Sequence, residues 1–107
     1  MLGLQNVYKK FDNLELFNNF NISFNENKIS CILGASGIGK TTIVNIIAGL
    51  INPDSGYVFG TDKAVFSYIF QEPRLLDWFN VYNNIDFVLK DIMDANKRKD
   101  VIKKYLD

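Results

Sequence analysis

The chain opens with alternating apolar and polar residues. Residues 2–8 are short and β-like, and Asp12-Asn13 is a turn signal before the next apolar stretch. Across residues 17–25 the period is two, with Phe20, Ile22 and Phe24 on one face and Asn19, Asn21, Ser23 and Asn25 on the other. That pattern predicts a half-buried strand at the edge of an antiparallel sheet. Glu26-Asn27-Lys28 is a polar turn, after which residues 29–33 are apolar nearly throughout, as a strand covered on both faces requires. A glycine-rich loop follows. Over residues 40–50, Ile43, Val44, Ile46, Ile47 and Leu50 fit a helix with one buried face, stopped by Asn52-Pro53-Asp54-Ser55-Gly56.

Residues 57–59 and 64–70 read as two further short strands around Gly60-Thr61-Asp62. Pro73 places Gln71-Glu72-Pro73-Arg74 in a loop, since it fits neither a central strand nor a helix interior. Beyond Asn80 the spacing of Val81, Ile85, Val88, Leu89 and Ile92 is helical again. Residues 97–106 form a second amphipathic stretch with Val101, Ile102, Tyr105 and Leu106 on its apolar side. No apolar run approaches the ~18 residues that a membrane helix needs.

Composition narrows the chemistry. The 107 residues hold one small domain at most, and twelve Lys+Arg cancel twelve Asp+Glu. A net charge of zero supplies no field for steering onto nucleic acid or an anionic membrane, so any phosphate must be held locally. The basic residues Lys97, Arg98, Lys99, Lys103 and Lys104 are interleaved with Asp91, Asp94, Asp100 and Asp107, which marks a solvated face rather than a nucleic-acid patch. Zero histidines exclude imidazole as base, zinc ligand or pH switch, and a lone Cys31 excludes disulfide frameworks and CxxC metal sites. Cys31 reads as a small buried hydrophobe, and with no secretory leader at the start the expected compartment is the cytoplasm. The richness in Asn, Ile, Lys and Phe carries no functional reading.

Gly34-Ala35-Ser36-Gly37-Ile38-Gly39-Lys40-Thr41 satisfies G-x-x-x-x-G-K-[ST] at every fixed position, between an expected buried strand and an expected helix. Such a loop wraps a polyphosphate with its backbone N–H groups, and glycines at 34, 37 and 39 permit the dihedrals and the close approach. Lys40 adds a positive charge at the β- and γ-phosphates, the Thr41 hydroxyl is placed to ligate Mg²⁺, and Thr42 can donate to an α-phosphate oxygen. A bare glycine-rich turn is the competing explanation, but pattern and context agree on nucleotide binding. The motif does not choose among kinases, GTPases, transport ATPases and helicases.

Three features together resemble the N-terminal half of an ATP-binding cassette (ABC) transporter ATPase. Leu4-Gln5-Asn6-Val7-Tyr8-Lys9-Lys10-Phe11 is similar to that family's opening strand, whose last aromatic, here Phe11, stacks on adenine. Ile47-Ala48-Gly49-Leu50 followed by Pro53-Asp54-Ser55-Gly56 matches the helix end and turn after the phosphate loop. Phe70-Gln71-Glu72-Pro73-Arg74-Leu75-Leu76 resembles the glutamine loop, in which the residue matching Gln71 contacts Mg²⁺ and the attacking water and reports to the membrane partner. The run through Trp78 is most similar to importers of the nitrate, sulfonate and taurine branch, although Asp77 stands where that branch often has proline.

The resemblance implies an α/β fold of the P-loop NTPase class. It would comprise an antiparallel β subdomain and P-loop core over about residues 1–79 and the start of a helical subdomain over about residues 80–107. It implies ATP and Mg²⁺ as cofactors, with Lys40 and Gln71 as the catalytic groups, residues 34–42 and Phe11 on the nucleotide, and Thr41 and Gln71 on the metal. The implied partners are a membrane permease, docked through residues 71–79 and the following helix, a second ATP-binding subunit, and an extracytoplasmic solute-binding protein. The implied location is the cytoplasmic face of the cell membrane. Each role has a structural competitor: Phe11 as a core aromatic, Gln71 as an ordinary loop amide, and Trp78 and Phe79 as core residues instead of a docking patch.

The family's LSGGQ-like signature, its Walker B strand ending in Asp-Glu and its switch histidine are not among these residues. Nothing after Lys40 is therefore placed to complete the Mg²⁺ shell or to act as general base. Three readings compete: part of a transporter ATPase, a half-domain that binds nucleotide without turnover, and a small P-loop kinase. The last is disfavoured because an Arg-rich lid cannot come from Arg74 and Arg98 alone. The first also predicts uncovered apolar residues over 29–33, where the family's central sheet receives strands from its other half.

Overall fold

The computed structural model describes residues 1–107. Leu2–Phe11 (β1) and Leu14–Phe24 (β2) pair as an antiparallel hairpin about the Asp12-Asn13 turn, and Ser55–Phe59 (β3) pairs antiparallel on the other side of β1. The sheet order is β2-β1-β3, so β2 lies at an edge, as its alternation predicts.

Leu4 and Val7 are both buried although three positions apart, a spacing that in a regular strand would face them oppositely. A bulge resolves the conflict: Leu4 pairs with Ile22 and Val7 with Phe20, so β1 spends one more residue than β2 over the same step. Asn6 sits at that irregularity with φ 52°, and its N–H donates to Asn21 Oδ1 at 2.9 Å. The complementary irregularity on β2 contains Asn19 at φ 50°, which brings Phe17 and Phe20 to the same side, their rings stacked at 4.8 Å. Asparagine is among the few residues that tolerate positive φ, so part of the chain's asparagine content has a backbone role that periodicity does not reveal.

Lys40–Ile47 (α1) lays Ile43 and Ile46 onto Leu4, Val7 and Phe17 to close the core, with Ile32, Ile51 and Val58 packed around it. The helix stops at Ile47 rather than at Leu50 because Gly49, at φ 78°, turns the chain, and Leu50 is exposed. Residues 29–33 form no strand. Ile29 is 98% and Leu33 88% exposed, Cys31 is exposed rather than buried, and only Ile32 touches the core. Residues 64–70 likewise form no strand. The reason is the same for both: an extended segment becomes a strand only when a neighbour supplies the ladder, and all three strands of this chain lie in the β2-β1-β3 sheet.

The chain divides into two compact units, Met1–Tyr68 with the sheet and α1, and Ile69–Asp107. The second holds Val81–Leu89 (α2) and Ala95–Leu106 (α3), capped by the side chains of Asn80 and Asp94, which accept from the N–H groups of Asn83 and Lys97. Asn84 ties the preceding loop to α2 by accepting from Leu76 N–H and donating to the carbonyls of Leu76, Phe79 and Asn80. Arg98 is not part of a freely solvated face: its Nε donates to Asp86 Oδ1 at 2.7 Å and its Nη1 to Met93 O at 3.0 Å. Of the apolar side expected of α3, Ile102 is buried and Val101 half-buried, while Tyr105 and Leu106 are exposed. No helix is long and apolar enough to cross a membrane.

Candidate functional site

The glycine-rich loop enters α1 through two left-handed residues, Gly37 at φ 83° and Gly39 at φ 105°. Gly39 occupies the N-cap position, and no side chain caps α1, nor does an acidic residue stand in its first turn. The backbone N–H groups of residues 35–39 have no hydrogen-bond partner in the protein. The positive end of the helix dipole and a row of free donors therefore converge on one exposed loop, the requirement for holding an anion. Lys40 bends back over the loop, its Nζ donating to Gly34 O and, at 2.9 Å, to Ala35 O. Its charge is thereby kept at the loop's mouth. Thr41 is exposed and Thr42 half-buried. From the far side, Tyr68 Oη donates to Asn45 Oδ1 at 2.6 Å and ties the chain after β3 to α1.

Phe17 supports the loop from below. A Cβ at Gly39 would lie 2.8 Å from its Cζ, whereas a Cβ at Gly37 would meet nothing within 4 Å. Gly39→Ala is expected to lower the stability of the first unit by about 1–3 kcal/mol for the dihedral alone, with the Phe17 collision added. Gly37→Ala carries only the dihedral cost. Urea denaturation of the two variants measures the difference, and equal midpoints would show that Phe17 does not support the loop.

Phe11, the last residue of β1, is 42% exposed, so it is not a core aromatic, and Lys9 Nζ stands 5.0 Å from its ring centroid. Lys9 Nζ also donates to Asn52 O at 3.0 Å and Asp54 Oδ1 at 3.2 Å. The Lys10 N–H donates to Asp54 Oδ2 at 2.8 Å, and this bond, followed by that from Lys9, holds the Asp54 carboxyl below its ordinary pKa. Periodicity does not find this cluster. The available signal is a lysine two residues along the strand from Val7, so that both share a face.

Phe11 and residues 34–42 belong to the first unit. Gln71 is exposed on a loop of the second, as are Trp78 and Phe79, whose rings meet edge to face at 6.1 Å. Trp78 is 76% exposed, so in this chain it is not a core residue. No group of three or more His, Cys, Asp or Glu side chains is assembled that could hold a metal ion.

A glycine loop with free donors on an uncapped helix, beside a small antiparallel sheet, defines a P-loop NTPase. Residues 17–107 match the family described as ABC transporter, and the chain belongs to that family. It is 31% identical, over 98% of its length, to the spermidine/putrescine import ATP-binding protein PotA of Fusobacterium nucleatum, of which it covers 31%. It is 32% identical, over 85% of its length, to the aliphatic sulfonates import ATP-binding protein SsuB of Granulibacter bethesdensis, of which it covers 37%. The chain thus spans about a third of the length of these two curated relatives.

Proposed function

We propose that this chain is the nucleotide-gripping part of an ATP-binding subunit of an ABC importer, which uses Mg-ATP binding and hydrolysis to drive solute across a membrane. The observation that carries this reading is the loop of residues 34–41, with unpartnered N–H groups on an uncapped helix and Lys40 folded into its mouth. Both relatives are named as import ATP-binding proteins. Their names give different solutes, spermidine/putrescine and aliphatic sulfonates, so the likeness favours import rather than a particular cargo.

In this reading the N–H groups of Ala35, Ser36, Gly37, Ile38 and Gly39 donate to phosphate oxygens. Lys40 exchanges the carbonyls of Gly34 and Ala35 for the β- and γ-phosphates, and Thr42 donates to the α-phosphate. Mg²⁺ bound at the loop would be held by the Thr41 hydroxyl and would neutralise charge on the phosphates. The threonine hydroxyl is a hard oxygen ligand and fits such a group. Residues 71–79 serve as the permease-facing stretch, supported by the exposure of Trp78; a second ATP-binding subunit joins at the cytoplasmic face, and an extracytoplasmic solute-binding protein completes the system. Lys40, Thr41 and Gln71 include no general base, so this chain by itself turns Mg-ATP over negligibly.

Phe11 stacks on the adenine. Stacking on an aromatic ring contributes about 1–3 kcal/mol per base, so Phe11→Ala is expected to weaken Mg-ATP by roughly tenfold. Binding of Mg-triphosphate, which has no base, is expected to stay unchanged. Ligand-observed NMR titration of both ligands measures the two affinities, and equal losses would refute the stacking role.

A further inference from the structure

β1 places Val7, Lys9 and Phe11 on one face, since side chains two apart in a strand share it. Val7 is fully buried on that face, and Lys9, next along it, has a side chain only 14% exposed. A lysine so nearly covered needs partners for its charge. It has three: the Asn52 carbonyl, the Asp54 carboxylate and the face of the Phe11 ring. The turn that provides the first two is itself laced to the end of β1, because Asp54 N–H donates to Tyr8 O at 2.9 Å and Lys10 N–H to Asp54 Oδ2 at 2.8 Å. The strand end carrying Phe11 is therefore fastened to the turn that follows α1, with the Lys9 ammonium as the link that touches the ring.

We propose that Lys9, anchored by Asn52 and Asp54, is the positioning residue of a nucleobase platform: its ammonium covers one face of Phe11 and directs a purine base to the other. This rests on the reading of Phe11 as the stacking residue. Two physical effects follow. The cation–π contact holds the ring in one orientation before the base arrives, so less freedom is lost on binding. The positive charge behind the ring also draws its π-density back and favours an electron-rich purine on the open face. Lys9 touches no phosphate in this arrangement, so its effect belongs to the base alone.

The test titrates Mg-ATP and Mg-triphosphate into the full chain and into the variants Lys9→Met, Lys9→Arg, Phe11→Ala and Lys9→Met/Phe11→Ala. Lys9→Met keeps the linear stem and removes the ammonium. It is expected to weaken Mg-ATP about fivefold, the scale of a cation–π contact, and to leave Mg-triphosphate unchanged. Lys9→Arg is expected to restore Mg-ATP binding, and Lys9→Met is expected to add nothing once Phe11 is gone. Asp54→Asn, which removes the anchoring charge and keeps an acceptor, is expected to show the same base-selective loss in smaller measure, and reads the proposal independently if Lys9→Met does not fold. If Lys9→Met and Asp54→Asn alter the melting temperature while the ratio of the two affinities stays constant, Lys9 is only a strut and the proposal is overturned. If Phe11→Ala alone shows no preference between the ligands, the stacking reading has failed, an outcome distinguished by a variant that leaves Lys9 in place.

Discussion

Lys40→Ala is expected to lower the affinity for Mg-ATP and for Mg-triphosphate alike, by roughly thirtyfold, the equivalent of about 2 kcal/mol for a lost charge-assisted hydrogen bond. The ammonium is the one side-chain charge that the structure places on the phosphate loop, where it bonds Gly34 O and Ala35 O. Its removal has two consequences, since the phosphates lose a cation and the loop loses the contacts that draw its two ends together. Lys40→Arg separates them: it keeps the charge but brings a planar group in place of a compact one. Equal losses for alanine and arginine would point to loop shape, and a smaller loss for arginine to charge. Calorimetric or NMR titration with both ligands decides between them.

Ile46→Ala carries the largest expected cost in stability. Ile46 is 1% exposed and belongs to a core of five buried side chains, Leu4, Val7, Phe17, Ile43 and Ile46. Truncating a buried isoleucine costs about 2–5 kcal/mol through lost transfer energy and the cavity left behind. A small domain has total stability near the lower end of about 5–15 kcal/mol, so much of the population is expected to unfold. Ile46 also anchors α1, whose N-terminus carries the phosphate loop, so nucleotide binding is expected to fall in step with folding. Val44→Ala, on the exposed side of the same helix, is expected to cost only about 0.5 kcal/mol. Urea denaturation followed by circular dichroism compares the two, and similar midpoints would contradict the packing described for α1.

Much of the first unit is legible in the residue pattern. The Asp12-Asn13 turn, the edge strand with Phe20, Ile22 and Phe24 inward, the helix from Lys40 and the strand at residues 57–59 follow from local period and turn chemistry, which act over a few neighbouring residues. The departures come where structure depends on distant partners. Residues 29–33 carry the continuous apolar run of a doubly covered strand, and that run encodes burial without naming the neighbours that would provide it. With none beside it, Ile29 and Leu33 face solvent. Exposed apolar residues in this stretch are what membership of a larger ABC domain leads one to expect.

The bulges at Asn6 and Asn19 escape a period-two reading because each inserts a residue into it. The candidate site divides in the same way. The loop of residues 34–41 is readable because its chemistry is local: glycines for φ and a lysine for charge. Phe17 under Gly39 is a contact across 22 positions that no motif records. Lys9 on Asp54 joins the first strand to the turn after α1, an arrangement visible only once β1 and that turn lie together.

The central claim is that residues 34–42 grip the phosphates of a nucleotide. Backbone amide NMR of the chain titrated with millimolar Mg-ATP tests it most directly. The account predicts that the amide resonances of Gly37, Gly39, Lys40 and Thr41 shift most, saturably, with the same set moved by Mg-triphosphate and the effect removed by Lys40→Ala. Saturable shifts confined to other residues, or shifts at the loop that persist unchanged in Lys40→Ala, would contradict it.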